Sequence, residues 1–212
     1  MKRSEINTIM AQADKFIGSF GFKLPPFAYW SPADFRRHAD DAKAIFDQKL
    51  GWDITDYGQG DFAKTGVFLF TLRNGLYAEK IMISRVNQVC PMHRHHVKAE
   101  DIINRGGGTL AVELFMSNDQ GGMDMQAEVT VSTDGRVRRM PAGSLLKLSP
   151  GESVTLLPGV WHAFWGEGQD VLVGEVSTVN DDIGDNVFRD PIGRFPHIEE
   201  DEPPLHLLVG DY

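Results

Sequence analysis

The chain has 212 residues, 42% of them hydrophobic and 24% charged, enough for a globular core of ordinary composition. A formal net charge of -9 argues against nucleic acid and anionic membrane as partners, because both attract basic surfaces. Cys90 is the single cysteine, which excludes an intrachain disulfide and fits a reducing cytoplasm, and no apolar run approaches the roughly 20 residues that span a bilayer.

Met1–Glu5 leads into an amphipathic pattern and not a signal peptide. Residues 4–20 predict a helix, with Ile6, Ile9, Met10, Ala13, Phe16, Ile17 and Phe20 on one face, Ser4 as N-cap and Gly21 as stop. Leu24–Trp30 contains two prolines and predicts an extended crossing. A second helix starts at Ser31-Pro32-Ala33-Asp34, where serine caps, proline suits the first turn and the aspartate completes a capping box. Phe35, Ala39, Ala42, Ile45 and Phe46 mark its buried side, His38 is exposed, and Gly51 ends it.

From about residue 66 the pattern turns to strands. Val67–Arg73 and Leu76–Ile83 predict a hairpin across Asn74-Gly75. The strand bearing His93 follows, then Gly106-Gly107-Gly108 as a turn, then a strand over 109–116. Residues 126–131 pair with 136–140 across Asp134-Gly135; further strands cover 144–148, 153–157, 160–165 and 171–179. Residues 180–204 are acidic and irregular, and 205–209 predict a last short strand. Short strands at this spacing mean a sandwich or barrel.

The chemistry concentrates in His93-Arg94-His95-His96-Val97-Lys98-Ala99-Glu100 and, far downstream, Pro158-Gly159-Val160-Trp161-His162. On an extended strand His93 and His95 point the same way, so two imidazoles can grip one ion. Four residues allow a bend that returns Glu100 to the same point, and His162 arrives from a separate strand. Three imidazoles and a carboxylate suit Mn, Fe, Co, Ni or Zn, and an octahedral ion keeps two positions for water or substrate. The alternative is a set of unrelated structural histidines. His93, His95, Glu100, Gly106, Gly151, Pro158, Gly159 and His162 together resemble the two-part cupin signature. That resemblance implies a mainly β chain: a cupin jelly-roll barrel over 61–212 with a C-terminal mouth loop, while the two helices of 1–60, too small for a separate domain, pack outside the barrel or extend a dimer surface. Gly166 departs from it, standing where many cupins carry Asn, at a position that holds no metal.

Other side chains carry chemical options. Lys98 shares a face with Glu100 if the segment is extended, and either serves as a proton donor or an electrostatic stabiliser of a developing oxyanion, or bends to solvent. Glu175 interrupts an apolar strand, where burial raises a carboxyl pKa toward that of a general base; its alternative is an outward salt-bridged face. Trp161, Phe164 and Trp165 offer rings to a sugar's C–H face or simply fill the core. Asp181, Asp182, Asp185, Arg189, Asp190 and Arg194 can close a barrel mouth and bind hydroxyls, Asp185 and Arg194 being the selected pair, or stay as surface charge.

Longer stretches narrow the family. Met1–Asn7, Leu24–Trp30, Glu100–Gly108, Leu148–Ser153, His162–Glu167 and Val171–Asp182 resemble the D-lyxose ketol-isomerases, across nearly the whole chain. The resemblance implies a Mn-dependent homodimer interconverting D-lyxose and D-xylulose, with D-mannose and D-fructose as a side pair. An open-chain aldose suits the site, with Glu175 carrying a proton between C2 and C1 through an enediolate while Lys98 assists at the sugar oxygens. A hydride shift would need no such base. An iron-dependent dioxygenase and a non-catalytic sugar-binding cupin are the rival readings.

Overall fold

The computed structural model describes residues 1–212 and consists of twelve strands in one antiparallel system with short helices at its N-terminal side. The strands are β1 (Gly51–Thr55), β2 (Val67–Asn74), β3 (Ala78–Ser84), β4 (Cys90–His95), β5 (Glu100–Ser117), β6 (Met123–Asp124), β7 (Val129–Thr133), β8 (Arg136–Met140), β9 (Ser144–Leu148), β10 (Ser153–Leu156), β11 (Trp161–Ser177) and β12 (Asn186–Phe188). The main path runs β1-β2-β3-β11-β5-β10-β7-β8, with β4 against β11 and β12, and β6 and β9 against β5. β5 and β11, paired along most of their lengths, are long bent strands that contribute to both halves of the barrel. No helix is long and apolar enough to cross a membrane.

The first helix, α1 (Arg3–Ser19), lies on the outer face of the sheet. Ile6, Ile9, Met10, Ala13 and Ile17 pack there against Trp52, Ile54, Phe68, Phe70, Ile81, Ile83 and Leu172. Strand alternation sends the intervening residues inward: Val67, Leu69, Met82, Val171 and Val173 join the barrel core with Ile102 and Leu110. Both faces of β2 and β3 are therefore covered, which is why these strands read as almost unbroken apolar runs. The same parity sends Asp53, Lys80 and Glu175 to the inner side, all buried.

Several sequence expectations change. α1 begins at Arg3, and Ser4 is not its cap; instead the Asp201 carboxylate accepts from the Ser4 N–H and hydroxyl at 2.9 and 2.7 Å. The proline-rich segment contains a 3-10 turn, Pro26–Tyr29. The second helix is two pieces, α2 (Pro32–Arg37) and α3 (Lys43–Asp47), because the chain turns at His38, whose ring stacks on Trp30 at 4.4 Å. Ala39, expected on the buried side, is exposed. The Ser31–Asp34 capping box forms as expected. The sheet starts at Gly51, ten residues before the expected barrel boundary. The β2–β3 loop spans 75–77, with Asn74 paired to Ala78 and a register shift between Thr71 and Arg73.

The glycine run 106–108 is not a turn but the middle of β5, where it crosses β11. A Cβ at Gly107 would overlap the Asp170 carbonyl, and φ there is +98°. Likewise the strands expected over 160–165 and 171–179 are parts of one strand, β11 (Trp161–Ser177), interrupted only by register shifts. Residues 205–209 form no strand, though Leu208 bridges Trp52, and the irregular stretch before them contains β12. Gly166 has a packing reason: a Cβ there would stand 2.7 Å from the Ser84 carbonyl.

Candidate metal centre and reaction cavity

β4 and β11 pair so that His93 lies opposite His162, and β12 brings Phe188 and Asn186 opposite His93 and His95. Donor nitrogens of His93, His95 and His162 lie within 4.8 Å of one another. Backbone carbonyls orient two rings: the Nδ1 of His93 is 2.7 Å from the Pro91 carbonyl and that of His162 is 3.1 Å from the Val160 carbonyl. With Nδ1–H donating to those carbonyls, the Nε2 lone pairs are left to face inward. Glu100 closes the set, its Oε1 standing 3.3 Å from His95 Nε2 and 3.2 Å from His162 Nε2.

The donors fit a divalent cation. His95 Nε2, His162 Nε2 and Glu100 Oε1 are buried with no hydrogen-bond partner, an arrangement that is costly unless something binds between them. Their 3.2–3.3 Å separations match neighbouring ligands that each sit about 2.0–2.2 Å from one ion. Burial, reinforced by the adjacent rings, holds His93 well below its ordinary pKa, and burial also lowers His95, so both rings are neutral, the form a metal ligand requires. Burial alone would raise Glu100, but the Lys98 ammonium beside it outweighs that and keeps the carboxylate ionised.

Lys98 turns inward. Its Nζ lies 2.7 Å from Glu100 Oε2 and 3.2 Å from Glu175 Oε1. Burial opposes its charge, and the two carboxylates overcome that and hold it above the usual lysine value. Asp185 fixes the bend that aims Lys98, accepting from the backbone N–H of Val97 at 2.7 Å and of Lys98 at 3.0 Å. It does not line the cavity; its carboxylate stands 3.6 Å behind His95 Nδ1.

Glu175 sits in register with Lys80 of β3. Its surroundings are ionic, not apolar as the strand's composition suggests. Lys98, the Ser177 hydroxyl at 3.0 Å and Lys80 at 3.6 Å all face Oε1, leaving Oε2 free. Asp182 stands 3.5 Å from Lys80 and 3.5 Å from Arg194. Burial raises its carboxyl, but these cations outweigh it and hold it well below the carboxylate range. Arg194 in turn pairs with Asp53 at 2.6 Å. A chain of buried charges thus runs from Glu100 through Lys98, Glu175, Lys80 and Asp182 to Arg194 and Asp53.

One cavity joins His93, His95, Glu100, Lys98, Glu175 and Arg194, with Phe164, Phe188, Tyr57 and Met82 among its walls. Trp161 is not part of it; its ring packs with Met92, Phe115 and Ala163 in a separate cluster. Cys90 contacts the Tyr57 hydroxyl at 3.2 Å, and burial pushes the thiol up to about 12, so it is inert as a nucleophile. Sequence reasoning missed Lys80 and Asp53. Lys80 was open to the argument that selects Glu175, a charge in an apolar strand at inward parity; Asp53 lies in a strand that was not anticipated.

The architecture is that of the cupin barrels that carry a histidine centre inside. An L-ribose isomerase mutant of Acinetobacter sp. DL28, solved with L-ribose, superposes with a TM-score of 0.65 at 15% identity, over 94% of this chain and 98% of that one. A profile of the D-lyxose isomerase family matches residues 1–212. The D-lyxose/D-mannose isomerase of Serratia proteamaculans is 50% identical, covering 100% of this chain and 98% of that protein, and its counterpart in Escherichia coli O157:H7 is 49% identical with the same coverage. The chain belongs to the D-lyxose isomerase family and is an aldose–ketose isomerase. The dioxygenase and the non-catalytic sugar-binding readings give way to that membership.

Proposed function

We propose that this isomerase interconverts D-lyxose and D-xylulose, and D-mannose and D-fructose as a second pair, by proton transfer within a metal-dependent site. The observation that carries it is one cavity lined by His93, His95, Glu100 and the Lys98–Glu175 pair, with His162 buried beside it and completing the histidine set. The relatives' names supply the two aldoses. His93, His95, His162 and Glu100 would hold a divalent cation, Mn first, with Co, Ni, Fe or Zn admitted by the same donors. When bound, the cation supplies Lewis-acid polarisation at the O1/O2 end of an open-chain sugar.

The protein's own groups do the rest. Glu175 removes the C2 proton through Oε2, the oxygen that Lys98, Ser177 and Lys80 leave free, and returns it to C1. Lys98 keeps its proton, and of its three N–H groups one remains to stabilise charge on a sugar oxygen after two face carboxylates. Phe164 and Phe188 wall the cavity against water, and Arg194 binds a sugar hydroxyl away from the histidines. The working assembly is a homodimer in the cytoplasm, the compartment supported by the lone buried thiol.

D-lyxose deuterated at C2, turned over by chelator-stripped protein with each metal restored in turn under nitrogen, tests this. Metal-restored, oxygen-independent turnover with deuterium lost to solvent is expected. Complete retention of deuterium in the xylulose would replace proton transfer with a hydride shift and remove Glu175 as base.

A further inference from the structure

Arg194 lies in a segment without helix or strand, so nothing regular fixes its backbone. β1 does so instead. The Thr55 hydroxyl donates to the Arg194 carbonyl at 2.9 Å, and Asp53 Oδ2 accepts from Arg194 Nη2 at 2.6 Å. Both side chains of that ion pair are buried, 9% exposed for Arg194 and 4% for Asp53. Asp182 is a looser neighbour of the same Nη2 at 3.5 Å. The other terminal nitrogen, Nη1, is buried and has no partner, although Arg194 lines the reaction cavity. A guanidinium is a rigid fork, so holding Nη2 sets the direction of Nη1. Arg194 also stands at the far end of the charge chain from Glu100. A sugar whose O1 and O2 lie at the histidines would therefore present its remote hydroxyls to Nη1.

We propose that Asp53 is a positioning residue for sugar binding: it aims the free Nη1 of Arg194 at a hydroxyl remote from the reacting carbons. The inference rests on the reading of Arg194 as a substrate contact and adds the residue that makes that contact available. Asp53 touches neither the histidines nor Glu175, so its removal weakens binding of ground state and transition state alike: KM rises and kcat holds.

The test is a cycle of Asp53→Asn, Arg194→Gln and the double variant, with KM and kcat for D-lyxose and a melting curve for each. About a tenfold rise in KM is expected for Arg194→Gln and for Asp53→Asn, with kcat changed less than about twofold. The double variant should be no worse than Arg194→Gln alone, because Asp53 acts only through the guanidinium. An unchanged KM in Arg194→Gln removes the substrate contact and the inference with it. A raised KM in Arg194→Gln beside an unchanged one in Asp53→Asn keeps the contact and overturns the positioning role. Multiplicative effects in the double variant, or a fall in kcat as large as the rise in KM, overturn it too. If Asp53→Asn does not fold because it strands a buried guanidinium, the double variant has no such charge, and its comparison with Arg194→Gln carries the test.

Discussion

Glu175 is the residue whose oxygens are most unequal. Three donors converge on Oε1 and none on Oε2. Replacing it with Gln keeps the shape and the Ser177 contact but removes the proposed base, so kcat should fall by about 10²–10⁴-fold; the melting temperature should fall too, but Lys98 and Lys80 keep Glu100 and Asp182 as partners and the protein should still fold. Exchange of the C2 hydrogen with solvent should vanish with turnover; exchange persisting at the wild-type rate would assign the base elsewhere. The histidine set makes a separate prediction. Donors that meet without partners only in the folded protein would hold a cation in that state alone, so chelation should lower the melting temperature and Mn should restore it in a concentration-dependent way. Glu100→Gln should abolish that restoration, since Oε1 lies between two imidazoles.

At the scale of elements, β5 and β11 decide the barrel, and their close crossing explains what could not be anticipated. Gly106-Gly107-Gly108 carries every mark of a turn, yet glycine is there so that one strand can lie against another's backbone. Gly107→Ala places a methyl group on the Asp170 carbonyl at positive φ, and should cost about 2–4 kcal/mol in denaturant unfolding. A loss under about 0.5 kcal/mol would mean that the crossing relaxes freely. The strands with clear alternation, β7, β9 and β10, and the apolar stripe of α1 were legible because their periodicity reflects one buried face. Of the candidate metal set, His93, His95 and Glu100 were legible together because they lie close in sequence on β4 and at the start of β5, whereas His162 comes from β11. β1 was not legible: Trp52 and Ile54 face α1 while Asp53 and Thr55 face inward, an alternation of only four residues, too short to stand out after the helical segment. The ion-pair chain was illegible for another reason. Its members come from β1, β3, the β4–β5 bend, β5, β11 and the C-terminal segment, and only the fold makes Lys80 and Glu175 neighbours.

On the scale of the whole molecule, the two ends of the chain hold each other. Arg3 is 2% exposed and pairs with Glu200 at 2.6 Å and Asp211 at 2.9 Å. The amino terminus donates to the His197 carbonyl, and Asn7 reaches Glu202 and the N–H of Leu205. The segment tied down this way is the continuation of the one that delivers Phe188 and Arg194 to the cavity, so α1 anchors a cavity wall it never touches. Arg3→Met keeps the volume of the buried stem and removes its charge-assisted hydrogen bonds. Because Glu200 remains 56% exposed and can be solvated by water, the loss should stay near about 1–2 kcal/mol. It should be felt locally. Amide exchange over residues 197–212 should accelerate while the paired cores of β5 and β11 stay protected, since their ladders share no bond with this clamp. Uniform acceleration through both strands would show instead that the termini are part of the barrel's cooperative unit, and that the tail and its Arg194 unfold only when the barrel does.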